Sequence, residues 1–273
     1  MYRIIEKQRK SELVDLIRVE APFVAKRCKP GQFVIVIPKE DGERVPLTIV
    51  DADREKGSIT LIYQIVGRST EELALLEEGD YIKEVAGPMG QPAQLHAKTR
   101  VLGIAGGVGA APLYPQLREL KKQGVTVDVI IGARTKELIL LQEDFENFAD
   151  NVYLATNDGS AGHQGFVTDI LKDLLEKGIQ YDEVIAIGPL IMMKSVVDIT
   201  KPIDLKTNVS LNPIMIDGTG MCGCCRVKVD GKTKFSCVDG PDFDGFLVEF
   251  DELMQRQGFF KEEEHKCRLG GRV

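Results

Sequence analysis

Four of the chain's six cysteines fall within sixteen residues, in the stretch MIDGTGMCGCCRVKVDGKTKFSC from Met215 to Cys237. Cys222, Cys225 and Cys237 follow the spacing C-x2-C-x11-C, with Cys224 between the first two. Thiolates spaced this way bind soft metals, as an iron–sulfur centre or as a zinc ion, and either site takes four protein donors. The spacing supplies three, so the fourth position stays open. A disulfide framework does not fit, because the N-terminus, MYRIIEKQRKSEL, is too charged for a secretory signal. Cys28 and Cys267 have no partner pattern and receive no role.

A second chemical pattern is GIAGGVGAAP, 103–112. It follows an apolar, strand-like run and opens an amphipathic one. Glycines in that setting let backbone approach a pyrophosphate, whose charge faces the helix N-terminus. The spacing Gly106-Gly107-x-Gly109-x-x-Pro112 departs from the usual dinucleotide fingerprint, and tight packing alone would also call for glycine there. NDGS, 157–160, ends a later strand on the same expected edge of a parallel sheet, which makes Asn157 and Asp158 candidates for ligand contact. Arg134 and Lys136 follow the strand between them. They fit either a clamp on a 2′-phosphate or two solvated bases at a strand end.

The elements that must position these residues fall into distinct regions. Residues 1–98 read as an antiparallel β-barrel: QFVIVIP (32–38), PLTIVDAD (46–53), SITLIYQIV (58–66) and DYIKEVAGP (80–88) are β-rich and bounded by turn residues. STEELALLEEG, 69–79, has helical spacing, with Ser69 and Thr70 as its expected cap. From Thr99 to Thr200 strands and helices alternate, including a helix over 137–149, which predicts an α/β domain with a parallel sheet. Residues 201–245 form the cysteine module, and 246–273 a tail that starts helical.

Composition narrows the class. The 273 residues are 43% hydrophobic and 28% charged, as in globular proteins, and the net charge of −7 argues against a nucleic-acid partner. No apolar run approaches the roughly 20 residues of a membrane span. The expected location is cytoplasmic.

A barrel followed by a nucleotide domain opening with GGVGAAP resembles the ferredoxin–NADP reductase superfamily. A Gly/Cys-rich module after it is similar to the electron-transfer subunit of class B dihydroorotate dehydrogenase and, more closely, to the small subunits of NADH-dependent reduced ferredoxin:NADP oxidoreductases. The resemblance covers essentially the whole chain. It implies an FAD site on RVPLTI (44–49), where Val45, Pro46, Leu47 and Thr48 match the flavin segment, with the Thr48 hydroxyl beside the reacting flavin nitrogen as the catalytic position. The family's arginine position is Val45 here; Arg44 stands one residue earlier, on the opposite face of a strand. The second implied flavin segment is IYQIVGRST, with Ile62, Tyr63, Gln64, Gly67, Ser69 and Thr70. In the nucleotide domain the resemblance assigns Gly106, Gly107 and Gly109 to the pyrophosphate of NAD(P). It also matches Gly188 and Pro189, with Ile187 replacing the family's cysteine. Related cluster modules read C-x4-C-x2-C and a distant C, which places Asp217 first, then Cys222, Cys225 and Cys237 as ligands of a 2Fe-2S cluster. A carboxylate can hold ferric iron, and Cys224 remains the competing fourth ligand.

The implied function is an FAD- and 2Fe-2S-containing electron-transfer subunit. It exchanges hydride with NAD(H) and passes single electrons to a larger flavin and iron–sulfur subunit in a heterodimer. The setting would be electron bifurcation between NADH, ferredoxin and NADP, with ferredoxin reached through the complex. One alternative is the electron-transfer subunit of dihydroorotate dehydrogenase B itself. Another is a zinc-binding assembly subunit without catalysis.

Overall fold

The computed structural model describes residues 1–259. Cys267 and most of the expected tail lie outside the described residues. The chain divides into two compact units: residues 1–92 with 212–241 and the chain from Glu249 on, and residues 93–211 with 242–248.

The first unit holds a nearly closed antiparallel barrel. Its strands are β1 (Tyr2–Ser11), β2 (Val14–Glu20), β3 (Phe33–Ile37), β4 (Val45–Asp53), β5 (Ser58–Gln64), β6 (Tyr81–Ile82) and β7 (Glu84–Met89), in the order β6-β1-β2-β5-β4-β3-β7. Side chains alternate across each strand, and the inner set, including Ile17, Val19, Leu47, Ile49, Ile59 and Leu61, forms the core. Helix α1 (Pro22–Arg27) contributes Val24 and Ala25 to it, and α2 (Arg68–Ala74) contributes Leu73. The N-terminal strands β1 and β2 precede the four β-rich runs of the sequence pattern; β1 is mostly charged or polar and buries Ile4 fully.

In the second unit, β8 (Arg100–Gly106), β9 (Thr126–Ala133), β10 (Asn151–Thr156), β11 (His163–Gln164), β12 (Glu183–Ile187) and β13 (Thr207–Ser210) form a parallel sheet in the order β11-β10-β9-β8-β12-β13. The crossovers run through α3 (Ala110–Lys122), α4 (Gln142–Glu146), α5 (Val167–Glu176) and α6 (Leu190–Thr200). The helix expected over 137–149 shrinks to α4 because Leu141 adopts φ 59°, a left-handed conformation no helix interior accepts. The sheet continues past Thr200 through β13.

The cysteine segment contributes a hairpin to the first unit, β14 (Arg226–Val229) and β15 (Lys232–Phe235), turned by Asp230 and Gly231 at φ 52° and 66°. Two left-handed residues between paired strands make the turn that suits strand twist. After α7 (Ser236–Asp239), β16 (Asp242–Asp244) pairs antiparallel with β13 in the second unit, and α8 (Phe250–Gln257) closes the described chain in the first. The contacts therefore divide the chain at 92/93 and 211/212, where the sequence pattern suggested 98/99 and 200/201. The cysteine segment shares a unit with the barrel. No helix among the described residues is long and apolar enough to cross a membrane.

Candidate redox site

The β14–β15 hairpin explains how distant cysteines meet. Arg226 pairs with Phe235, and the Ser236 N–H donates to the Cys225 carbonyl at 3.0 Å, so Cys225 and Cys237 flank the same hairpin end. Their sulfurs lie 3.1 Å apart and both residues are buried. Burial, then the Cys225 thiol, push the Cys237 thiol up to about 12. Cys222 is exposed; backbone N–H groups of Cys224 and Asp217 hold its thiol below the usual range. Cys224 is raised by burial and then by its hydrogen bond with Cys222. The donors thus sit in pairs, and among the described residues no three or more His, Cys, Asp or Glu side chains surround one point.

Three glycines shape this loop: Gly218, Gly220 and Gly223 have φ of 81°, 88° and 71°. At Gly218 a Cβ would come within 2.7 Å of Ile35, so the loop rests on the barrel at the one residue type that allows it. Asp217 precedes this contact. Its carboxylate accepts from the Thr219 hydroxyl and, at 3.0 Å, from the Thr219 N–H, and these two bonds, hydroxyl first, hold its pKa down. The Arg44 Nε donates to the Asp217 carbonyl at 3.1 Å. On the other side, Arg256 of α8 donates to the carbonyls of Arg226 and Cys224 at 2.6 and 3.0 Å. Cys224 also lines a mostly apolar cavity of about 220 Å³ with Pro213, Ile214, Ile216, Leu253 and Arg256.

The barrel face beneath the loop is that of the expected flavin strand. In the β3–β4 ladder Phe33 pairs with Thr48 and Ile35 with Pro46, and directly paired residues share a face. Phe33 and Ile35 are buried together with Cys225 and Cys237, against Ala86, Met89, Met215 and Phe235. Thr48 is half-buried and Pro46 exposed on this face. Leu47 lies in the barrel core and Val45 packs against it, so these two positions offer a ligand backbone rather than side chain. Leu47, which the resemblance assigns to the flavin segment, turns its side chain into the barrel core.

The second expected segment behaves similarly. Tyr63 is turned into the core, its hydroxyl 3.5 Å from the buried Asp15 carboxylate, which Arg9 contacts at 2.5 Å. Burial, then the Asp15 charge, raise its pKa. Ile62 is buried and Gln64 half-buried. The cap of α2 is Gly67, not Ser69 or Thr70: Thr70 reaches back, accepting from the Val66 and Gly67 N–H groups and donating to the Gly67 carbonyl. Ser69 donates to Glu43 at 2.6 Å.

In the second unit the candidate nucleotide residues converge at the C-terminal edge of the parallel sheet. A Cβ on Gly109 would fall 2.2 Å from the Ile187 carbonyl oxygen, and one on Gly106 would fall 2.6 Å from Met192 Sδ and 2.8 Å from Pro189. One on Gly188 would meet Met192 and Gly106 at 2.8 and 3.0 Å. These three glycines are packing glycines. Gly107 differs: at φ 56° it has open space where its side chain would be. Asn157 and Asp158 follow β10 on the same edge, and Asp158 is held ionised first by the Ser160 hydroxyl and then by its N–H. Arg134 and Lys136 are exposed beyond β9.

Sequence reasoning missed Phe33 and Ile35. Their signal was present: FVIVI is apolar at every position, which marks a strand covered on both faces. Arg256 had none, being one charge in a polar helix.

Residues 212–249 match the iron–sulfur cluster binding domain of dihydroorotate dehydrogenase B, and 104–198 the oxidoreductase NAD-binding domain. A solved chain from work on flavin-based electron bifurcation by the NADH-dependent reduced ferredoxin–NADP oxidoreductase aligns with TM-score 0.92 and 40% identity. The alignment covers 99% of this chain and 97% of that one. A ferredoxin NADP+ reductase from Neisseria gonorrhoeae, at 15% identity and TM-score 0.58 over 75% of this chain and 90% of its own, shares the fold alone. Barrel, parallel sheet and cysteine segment together define an oxidoreductase subunit of ferredoxin–NADP reductase type. A protein of Thermotoga maritima described as a dihydroorotate dehydrogenase B (NAD(+)) electron transfer subunit homolog is 44% identical over 96% of this chain and 92% of its own. A Clostridium beijerinckii protein described only as uncharacterized, in the adh 3′ region, is 48% identical over 98% and 94%. The chain belongs to the family of dihydroorotate dehydrogenase B electron-transfer subunits and their homologues.

Proposed function

We propose that this chain is the FAD- and 2Fe-2S-containing electron-transfer subunit of a cytoplasmic heterodimer. In this reading it exchanges hydride with NAD(H) and passes single electrons to a larger flavin and iron–sulfur subunit, in bifurcation between NADH, ferredoxin and NADP. The observation that carries the reading is the burial of Cys225 and Cys237 on Phe33 and Ile35, the direct strand partners of Thr48 and Pro46. In this reading the thiols and the strand proposed to hold flavin share one barrel face. The likeness to the bifurcating oxidoreductase chain over nearly the whole length supports the same reading.

The donor set fits the implied groups. Each iron of a two-iron cluster takes two protein donors, and Cys225 and Cys237, whose sulfurs lie 3.1 Å apart, offer one such pair. A tetrahedral zinc site needs four around one point. Bound flavin supplies the conversion between two-electron hydride transfer and one-electron steps, and an iron–sulfur centre supplies one-electron transfer. By the ligand spacing of the related cluster modules, Cys222, Cys225 and Cys237 would hold the cluster with Asp217, with Cys224 as the competing fourth donor. Thr48 presents its hydroxyl on the ligand face of β4, with Pro46 beside it. Val45, Leu47, Ile62, Tyr63 and Gln64 contribute backbone and shape. Gly67, Ser69 and Thr70 form the turn into α2, and Gly107 leaves room for a pyrophosphate that Gly106, Gly109, Gly188 and Pro189 frame. Asn157 and Asp158 border the same edge.

The test is to purify the chain with whatever subunit accompanies it, measure iron, zinc and flavin, and titrate with NADH anaerobically. Stoichiometric FAD, two irons per chain in this subunit and bleaching by NADH are expected. A colourless chain holding zinc would refute the proposal. A partner that oxidises dihydroorotate would move it to the dihydroorotate dehydrogenase alternative.

A further inference from the structure

Arg44 is the residue the family pattern leaves without work. The position that would meet a flavin pyrophosphate is Val45, and one step along a strand reverses the face. The structure supplies a different partner: the Arg44 Nε donates at 3.1 Å to the carbonyl of Asp217, 173 residues away in sequence. Arg44 leads directly into β4 and hence to Thr48. Asp217 begins the cysteine loop, and the next residue, Gly218, is the point where that loop rests on Ile35. The Asp217 carboxylate is turned to Thr219, so the arginine binds the backbone and leaves the side chain to its own turn. One half-buried cation therefore bridges the start of the flavin strand and the start of the ligand loop.

We propose that Arg44 is a positioning residue that fastens the flavin strand to the ligand loop and, through its charge, raises the reduction potential of the iron–sulfur centre held there. The inference rests on the iron–sulfur reading of the cysteine segment. Adding an electron makes such a centre more negative by one charge, and a fixed cation nearby stabilises that reduced form. An arginine serves both tasks, because its guanidinium stays charged while its N–H groups hold fixed geometry.

The experiment compares wild type, Arg44→Gln and Arg44→Lys as the full chain with its accompanying subunit. Iron and FAD per chain are measured, and the midpoint of the cluster's electron paramagnetic resonance signal is followed in a redox titration. Arg44→Gln is expected to keep FAD and shift the midpoint to more negative potential by about a tenfold change in the one-electron equilibrium, ~59 mV. Arg44→Lys, which keeps the charge, should recover most of the shift. If Arg44→Gln loses iron but keeps flavin while Arg44→Lys keeps both, the fastening is upheld directly. Full iron with an unmoved midpoint in Arg44→Gln overturns the proposal, and so does loss of FAD with an unmoved midpoint, which would return Arg44 to pyrophosphate binding. A wild type without an iron–sulfur signal overturns the parent reading as well; an iron-bearing wild type with an indifferent Arg44→Gln overturns this inference alone.

Discussion

Phe33 lies directly opposite Thr48 in the β3–β4 ladder, and its side chain is buried with Ile35 against the thiols of Cys225 and Cys237. The barrel strand next to the proposed flavin segment is thus the floor of the cysteine loop. Gly218 brings the loop close against that floor. An alanine there would need φ near 81° and would drive its Cβ to within 2.7 Å of Ile35. Gly218→Ala is expected to destabilise the chain by roughly 1–3 kcal/mol and to lower iron per chain while FAD stays bound. Iron and flavin assays with a thermal melt check this; unchanged iron would mean the loop does not depend on that contact.

The fourth ligand is decided by two substitutions read together. Cys224→Ser should leave iron content and the cluster spectrum in place. Asp217→Ala should reduce iron, and Asp217→Cys should retain a two-iron centre with an altered spectrum. Loss of iron from Cys224→Ser together with full iron and an unchanged spectrum in Asp217→Ala would reverse the assignment.

Much of this arrangement was legible because it rests on local periodicity. The apolar runs that became β3, β4, β5 and β12, and the strand–glycine–helix order around Gly106, follow from residue patterns a few positions long. What escaped depended on long-range partners or on single backbone angles. Leu141 broke a helix that its neighbours' spacing supported. Thr70 looked like a cap and instead reached back to one at Gly67. The inward face of Leu47 and Tyr63 depended on strand register, and the bond from Arg44 to Asp217 joins segments no local window contains.

Asp242 predicts a pH dependence of stability. Asp242 is half-buried, with one carboxyl oxygen sealed from solvent, and its carboxylate accepts from Gln116 at 3.0 Å and from the Ser210 side chain. Burial raises its pKa from 3.8 to about 6. A raised folded-state pKa means the native state binds the proton more tightly than the unfolded chain does. The stabilisation from that proton is complete below pH 3.8 and lost as pH rises through about 6. Asp242→Asn should therefore melt higher than wild type at pH 8, by an amount on the order of 2–3 kcal/mol in stability, and the gap should close toward pH 4. An equal gap at both pH values would show that Asp242 does not titrate in this range.

The last prediction separates the nucleotide site from the flavin site. Gly106 and Gly109 are fixed by contact with Pro189, Met192 and Ile187, so replacing them would disturb the sheet edge itself. Gly107 has open space where a Cβ would stand, and its φ of 56° is the only local objection to a side chain. A valine there costs about 1–3 kcal/mol in backbone strain and fills the volume through which a pyrophosphate would approach the start of α3. Gly107→Val is expected to weaken NADH binding at least tenfold, read by quenching of flavin fluorescence, while flavin content and the cluster spectrum remain those of wild type. The selectivity follows from the chain's division, since Gly107 belongs to one compact unit and Thr48 with the cysteine loop to the other. Loss of flavin with intact NADH affinity would contradict the assignment of both sites.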